Sequence, residues 1–295
     1  MKYRTILLTG LMFPSLCLAS SPAPFNVEQA VLDRIATTAK SQPSASRIAL
    51  ETLERVVEGR AESISVVAES QLGLKPGELR RVEFKDATVR AYAVRKIGES
   101  NLSDALQYLR NLRQDHLPPD ESQQVWPATQ IALHEALLNR VPNSQSRIEF
   151  LENALTTEHD AISNSAVATW AANELCDGGA LSSLPVIQQS IRKRDPFPSG
   201  EEEMQFCEAR IRVVTREPDR LKALSSVLRV DSGTQQQKLM FWAINQLASM
   251  HSNEADAELD RFADEIRRLP EGSPQKQQLF ALSQSIHELH AQRSQ

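Results

Sequence analysis

Apolar residues recur at intervals of three and four along most of the chain after residue 26, which is the spacing of one face of an α-helix. Val27, Val31 and Ile35 begin the pattern. It predicts a leading helix over 26–40, a closing helix over 274–292 and helix pairs over 46–74, 86–114, 122–156, 163–194, 201–229 and 235–268. Short connections carrying Pro, Gly, Asn or Asp separate these segments, as is usual between packed helices. We therefore expect an all-α protein.

Residues that cap helices mark several of the predicted starts. Asn26, Ser199, Thr234 and Ser273 each stand just before an apolar-periodic segment, and Pro274 follows the last of them. Their side-chain oxygens can accept hydrogen bonds from the backbone N–H groups that the first turn of a helix leaves without partners. Proline is well suited to the first helical position. These four residues are the predicted N-caps.

A motif of an aromatic residue, Ala, three further residues and Ile or Leu occurs three times. The copies are Tyr92-Ala93 with Ile97, Trp170-Ala171 with Leu175, and Trp242-Ala243 with Leu247. Weaker anchors between them are Leu137 and Val213, which gives steps of 34 to 40 residues from one anchor to the next. A recurrence of this length is typical of stacked helix pairs, because one pair cannot bury its apolar surface alone. The three aromatic residues are predicted to pack in the core.

This motif resembles the HEAT and armadillo class of helical repeats, most closely from Thr88 to Leu109, and the resemblance covers most of the chain. It implies a right-handed α-solenoid of about six helix pairs with a capping helix at each end, in a single domain over 20–295. Tetratricopeptide repeats are the rival class, but their period of about 34 residues fits only the last step. An irregular helical bundle is the third alternative.

The resemblance also implies a binding face. In HEAT-like proteins the second helix of each pair lines the concave surface, and the second helices here are expected to begin near Leu102, Ser144, Leu181, Asp219 and Asn253. Polar residues on those helices are the candidate contacts for a partner: Arg110, Arg147, Gln189, Arg192 and Arg261.

The first nineteen residues read as a cleaved signal peptide. Lys2 and Arg4 precede an apolar run over 6–18, which is shorter than the roughly 20 residues that span a bilayer. Small residues at Cys17 and Ala19 fit cleavage after Ala19. A buried N-terminal helix and acylation at Cys17 are the alternatives. We expect a periplasmic or secreted protein without a transmembrane anchor.

Composition and charge narrow the class of function. Without residues 1–19 the chain is two charges more negative than the −5 of the full sequence. A general nucleic-acid-binding protein has a strong basic excess instead, so we expect no nucleic-acid partner. The 10 glycines and 5% of aromatic residues favour helices over a β-sandwich.

Cys176 and Cys207 remain after the predicted cleavage, and an exported pair favours a disulfide. The repeat register predicts the opposite. Cys176 lies one residue after its anchor Leu175 and Cys207 lies six before its anchor Val213, an offset of about 10 Å along parallel helices. Disulfides need Cα atoms within about 7 Å of each other. We therefore expect two buried, unpaired structural cysteines.

Motifs for common chemistries are missing. The chain has no Gly-x-Ser-x-Gly and no phosphate-binding glycine loop, and Gly178-Gly179 is predicted to link two helices of one pair. His287 and His290 are three residues apart, whereas a zincin helix needs four. In the HEAT-like deoxyhypusine hydroxylases His-Glu pairs hold iron, and this chain has two such pairs, His134-Glu135 and His287-Glu288, where that family uses four. We predict no catalytic residue, metal or cofactor.

The leading hypothesis is thus a non-enzymatic scaffold that binds a protein or peptide, as an inhibitor or an assembly module. A basic stretch from Arg210 to Arg229 and an acidic stretch from Glu254 to Glu265 would pattern its surface for a charged partner. One alternative is an enzyme, either a hydrolase with a dispersed carboxylate pair or a His-Glu metal protein. The other is a structural component of the cell envelope.

Overall fold

A computed structural model describes residues 27–41, 43–60, 65–79, 87–100, 103–115, 125–156, 161–230 and 236–293. The predicted signal peptide over 1–19 and the predicted caps Asn26 and Thr234 lie outside these ranges.

Every regular element in the described ranges is helical, which confirms the all-α prediction. The first seven α-helices are α1 (Val27–Ser41), α2 (Pro43–Val57), α3 (Val66–Gln71), α4 (Ala87–Gly98), α5 (Ser103–Asp115), α6 (Val125–Leu138) and α7 (Ser144–Thr156). The remaining ones are α8 (Ala161–Asp177), α9 (Leu184–Arg194), α10 (Pro198–Arg216), α11 (Arg220–Ser225), α12 (Gln237–Ser249), α13 (Asn253–Arg268) and α14 (Pro274–Arg293). A 3-10 turn, Leu181–Ser183, precedes α9.

The helices pack mainly against helices that are one or two places away in the chain. The first helices of successive pairs, α4, α6, α8, α10 and α12, contact one another in that order, and α12 also contacts α14. We call these five helices the first-helix row, and α5, α7, α9, α11 and α13 the second-helix row. Three hydrophobic clusters follow one another along the chain, over 31–137, 138–211 and 224–286. This arrangement is compatible with a helical repeat.

Small buried residues recur at equivalent positions of the first-helix row. The small position of the motif is filled by Ala93, Ala132, Ala171, Cys207 and Ala243, each at most 1% exposed. The apolar residue four positions later is Ile97, Ala136, Leu175, Ile211 and Leu247, all buried. Two expected anchors were therefore misplaced: Ala136 stands in the place given to Leu137, and Ile211 in the place given to Val213.

The contact between α4 and α6 depends on glycine. A Cβ atom added to Gly98 would lie 2.7 Å from the Cβ atom of Ala136, closer than two carbon atoms can pack. Arg140 caps the same end of α4, since its Nε donates a 3.0 Å hydrogen bond to the carbonyl of Gly98. The close approach of these two helices is thus set by Gly98 and Ala136.

Helix caps agree with the sequence at one predicted position and differ at another. Ser273 caps α14, because its Oγ accepts a hydrogen bond of 3.2 Å from the Lys276 N–H. Ser199 was wrongly predicted to cap the next helix. α10 begins at Pro198, two residues before a helix capped by Ser199 would begin, and the Ser199 hydroxyl instead donates a 2.6 Å hydrogen bond to Asp195 Oδ2. Proline at the first helical position removes one of the N–H groups that would need a cap.

Cys176 and Cys207 form a disulfide, with their Cα atoms 5.3 Å apart, so the prediction of unpaired cysteines was wrong. Both residues are 1% exposed, which confirms that they are buried. With Ile211 as the anchor, the offset between the cysteines falls from seven residues to five. Packed helices also cross at an angle, so that residues away from equivalent turns can meet. The last turn of α8 lies beside the middle of α10, which brings the two sulfur atoms together.

None of the helices in the described ranges is both long enough and apolar enough to cross a membrane.

Candidate functional site

A half-buried carboxylate at the end of α8, that of Asp177, joins four helices. Asp177 Oδ1 accepts hydrogen bonds from Arg210 Nη1 in α10, at 2.9 Å, and from Trp242 Nε1 in α12, at 2.8 Å. Its Oδ2 accepts a third, of 3.1 Å, from Gln246 Nε2. Arg220, at the start of α11, donates to the backbone carbonyl of Asp177 at 2.9 Å and to Gln246 Oε1 at 2.6 Å. We call these five residues the Asp177 node.

Burial and charge act in opposite directions on Asp177. Burial raises the pKa of its carboxyl group, while the nearby Arg210 and Arg220 guanidinium groups and the Trp242 N–H lower it, and burial is the larger effect. Arg210 is itself only 5% exposed and lies over the Phe206 ring, with 4.9 Å from Cζ to the ring centre. Three donors to one carboxylate satisfy charges that would otherwise be costly to bury.

The Asp177 node sets the position of α11. Arg220 is the first residue of this helix, and both hydrogen bonds of its side chain are to other members of the node, Asp177 and Gln246. Asp219 caps the helix, since its Oδ1 accepts a hydrogen bond from the Lys222 N–H. After Ser225 the chain turns, and Val227 and Leu228 are buried in the core. The helix is therefore held at its start by ionic contacts and at its end by apolar ones.

A groove of about 470 Å³ lies between α11 and α13. α11 has six residues and α13 has sixteen, so the short helix covers only part of the long one. One wall comes from α11 and the turn after it: Lys222, Ser225, Ser226, Leu228, Arg229 and Val230. The other wall comes from α13, with Arg261 and Glu265. This feature is called the α11–α13 groove below.

The charges that face this groove are mostly positive. Lys222 Nζ is 3.6 Å from Asp219, and Arg261 is paired along its own helix with Glu258, at 2.7 Å, and Glu265, at 2.5 Å. These two acidic partners raise the pKa of Arg261. Arg229 is exposed, and its side chain has no hydrogen bond or ion pair to the residues that the structure describes. The groove thus offers one unpaired guanidinium group beside two paired cations.

The structure places one of the five candidate contacts, Arg261, in this groove. Arg110, Gln189 and Arg192 are exposed on α5 and α9. Arg147 is turned toward the protein, because its Nη1 donates a 2.9 Å hydrogen bond to the carbonyl of Leu138 and so caps α6. The candidates are therefore distributed over four helices of the second-helix row.

Arg147 has an electrostatic role as well. Burial, Asp177 and Glu135 raise the pKa of Glu174, and Arg147 and Arg220 partly offset this rise. Glu135 is itself paired with Arg95 across α4 and α6, at 2.7 Å. A line of charged residues therefore runs along the first-helix row toward the Asp177 node.

The two His-Glu pairs stand far apart in the order of helices. His134 in α6 is fully buried, with Nδ1 2.8 Å from the Gln130 carbonyl and its ring between Phe150 and Trp170. His287 is exposed on α14. Among the described residues, no three His, Cys, Asp or Glu side chains are grouped so that they could hold a metal ion.

Sequence reasoning missed Lys222, Ser225 and Arg229 as residues that line a groove. The first and last lie within the predicted basic stretch from Arg210 to Arg229, so their charge was visible. Their common site was not, because it depends on the short length of α11. The paired serines Ser225-Ser226 were the available signal, since serine is unfavourable inside a helix and marks helix ends.

Comparisons with known proteins give no relative: no family model, no curated protein and no solved structure matches this chain.

Proposed function

We propose that this chain is a non-enzymatic binding protein, and that the α11–α13 groove is where it contacts a protein or peptide partner. In this proposal the chain is a right-handed HEAT-like solenoid of about six helix pairs that acts in the periplasm or outside the cell. Its second-helix row presents side chains from a stacked framework, so that little ordering accompanies binding.

The groove is the observation that carries the proposal. Sites for small molecules are mostly enclosed and apolar, with a few convergent polar groups. The α11–α13 groove is open to solvent, and six of its eight lining residues carry a charge or a hydroxyl group: Lys222, Ser225, Ser226, Arg229, Arg261 and Glu265. Such a surface suits the polar and wet contacts of a protein partner better than a buried small ligand.

The internal bonding of the fold supports preorganisation. The disulfide joins α8 to α10, and the Asp177 node joins both of them to α11 and α12. α11 is thus fixed relative to the core before any partner arrives. A groove wall that is already in place costs a partner little conformational entropy.

Affinity capture with paired variants tests the proposal. Tagged wild-type protein is used to capture partners from an envelope extract, and Arg229→Glu and Arg47→Glu proteins are used in parallel. Arg47 is an exposed arginine on α2, outside the groove, and is the matched control. We expect one stoichiometric partner with wild type and Arg47→Glu, and its loss with Arg229→Glu. Equal capture by all three proteins would place the contact elsewhere and contradict the proposal.

A further inference from the structure

We propose that the α11–α13 groove recognises an acidic segment, a short run of Asp or Glu side chains in the partner, through Arg229, Arg261 and the Ser225 hydroxyl. This inference rests on the proposed binding function and adds the chemistry of what is bound.

The charges that line the groove are mostly positive. Lys222, Arg229 and Arg261 line it, against the single carboxylate of Glu265. The acidic partners Asp219 and Glu258 are not among the lining residues, although they pair with Lys222 and Arg261. An entering group therefore meets a local excess of positive charge in a chain whose overall charge is negative. Such a local field favours and steers an anionic partner.

Arg229 has hydrogen-bond donors to spare. A guanidinium group offers five N–H donors in a planar fork that matches a carboxylate. The Arg229 side chain uses none of them within the described part of the chain. Its backbone is fixed, since its N–H donates a 3.0 Å hydrogen bond to the Val227 carbonyl. A carboxylate of the partner would supply the missing acceptor.

The Ser225 hydroxyl is a second unused donor at the groove. Its Oγ is shielded from solvent and has no hydrogen-bond partner, although the residue lines the groove. A shielded polar group without a partner is unfavourable, because it has lost its hydrogen bonds to water without replacement. The neighbouring Ser226 differs, because its Oγ donates a 2.7 Å hydrogen bond to the Ala223 carbonyl. Ser225 therefore keeps an unused donor, which a rotation of its side chain about the Cα–Cβ bond would present to a ligand oxygen in the groove.

Arg261 shows that this surface already holds carboxylates. Its Nη1 binds Glu265, and its Nε and Nη2 bind Glu258. Glu265 is the carboxylate inside the groove, so a partner carboxylate would share or replace its contact with Arg261 Nη1. The open shape of the groove fits an extended segment, in which successive side chains could meet Arg229 and Arg261.

Fluorescence anisotropy with short peptides tests this inference. The titrated protein is purified from expression of the full sequence, and the labelled peptides are hexaglutamate, hexaglutamine and hexalysine. We expect hexaglutamate to bind at least tenfold more tightly than the other two peptides, with weaker binding at higher salt. Arg229→Gln should weaken binding about tenfold and Ser225→Ala about fivefold, as the loss of a charged and of a neutral hydrogen bond implies. Arg47→Gln, outside the groove, should bind as wild type does.

Equal binding of hexaglutamate and hexaglutamine would overturn the inference, and so would equal weakening by Arg229→Gln and Arg47→Gln. Thermal melts of each variant exclude misfolding as the cause. Failure of the inference can be told from failure of the proposed function. If a partner still requires the groove while acidic peptides do not bind, the function stands and the chemistry is wrong. If nothing contacts the groove, the function itself fails.

Discussion

The sulfur atoms of Cys176 in α8 and Cys207 in α10 are bonded, and they lie next to the residues that hold the groove in place. Asp177 follows Cys176 directly, and Arg210 is about one turn after Cys207 in the same helix. The disulfide therefore holds together the two halves of the ion pair between Asp177 and Arg210, which are 2.9 Å apart.

Removing the disulfide should lower stability. The bond closes a loop with a sequence separation of 31, for which chain entropy predicts about 3–4 kcal/mol. We expect reductant to lower the denaturant midpoint of wild type, and a Cys176→Ala/Cys207→Ala variant to start lower and not respond. Digestion without reductant should release a linked pair of peptides containing the two cysteines. Unlinked peptides, or a midpoint that reductant leaves unchanged, would contradict the bond.

Asp177→Ala should be among the most destabilising substitutions of a polar residue. It leaves the buried Arg210 without its carboxylate and removes the acceptor of the Trp242 and Gln246 donors. Breaking a buried ion pair typically costs about 3–5 kcal/mol. The matched control is Asp264→Ala, which removes an exposed ion pair with Arg267 and should cost less than about 1 kcal/mol. Chemical denaturation measures both, and similar losses in the two variants would show that the node is not a buried centre.

Glu54 should make stability fall as the pH rises through neutrality. Burial, with repulsion from Glu58, Glu51 and Asp104, raises its pKa from 4.5 to about 7. Between pH 4.5 and 7 the folded protein keeps Glu54 protonated, whereas the unfolded chain has released that proton. The stabilisation that results is complete below pH 4.5 and is lost as the pH rises through 7. Because Glu54 is partly exposed, we expect about 1–2 kcal/mol, or a few degrees in Tm.

The measurement compares Glu54→Gln with wild type by thermal denaturation at pH 5 and pH 8. The variant should be more stable than wild type at pH 8 and should lose most of the difference at pH 5. Glu51→Gln, an exposed neighbour in α2, is the control and should have a smaller effect. An equal Tm difference at both pH values would show that Glu54 titrates normally.

Gly98→Ala should destabilise the protein, although alanine is the better helix former by about 1 kcal/mol. The added methyl group would meet the Cβ atom of Ala136 at 2.7 Å, and overpacking of this kind costs about 1–3 kcal/mol. Ala136→Gly should partly rescue Gly98→Ala, so a double-mutant cycle by denaturant unfolding should give a clear coupling energy. Additive effects would mean that α4 and α6 do not approach so closely at this point.

Most helix bounds could be predicted from the sequence, because the spacing of apolar residues and the capping residues are local signals. Ser273 and the start of α14 at Pro274 are examples. The loop at Gly178-Gly179 is another, since Gly179 has φ of +71°, a left-handed conformation that favours glycine after a helix. The aromatic residues also fit their predicted core positions: Trp242 is 7% exposed, and Tyr92 and Trp170 pack against the buried clusters.

The wrong prediction for the two cysteines comes from the fine register between helices. Phe206-Cys207 with Ile211 is a further copy of the aromatic motif, with cysteine in the place of alanine. Cys207 was not recognised as the small residue of this copy, so Val213 was taken as its anchor. The resulting offset of seven residues argued against a disulfide. The groove could not be predicted from the sequence for a related reason. Its walls depend on where α11 ends and on the tilt of packed helices, and neither is a periodic signal in the sequence.

Site-specific photo-crosslinking tests the central claim, that the α11–α13 groove contacts a protein partner, most directly. A photoreactive amino acid replaces Ser226 in the groove, or Gln205 on the exposed face of α10 as the control. Irradiation of producing cells should give one dominant adduct from position 226, little from position 205, and none at 226 when Arg229→Glu is also present. The absence of an adduct at position 226, or the same adducts from both positions, would contradict the claim.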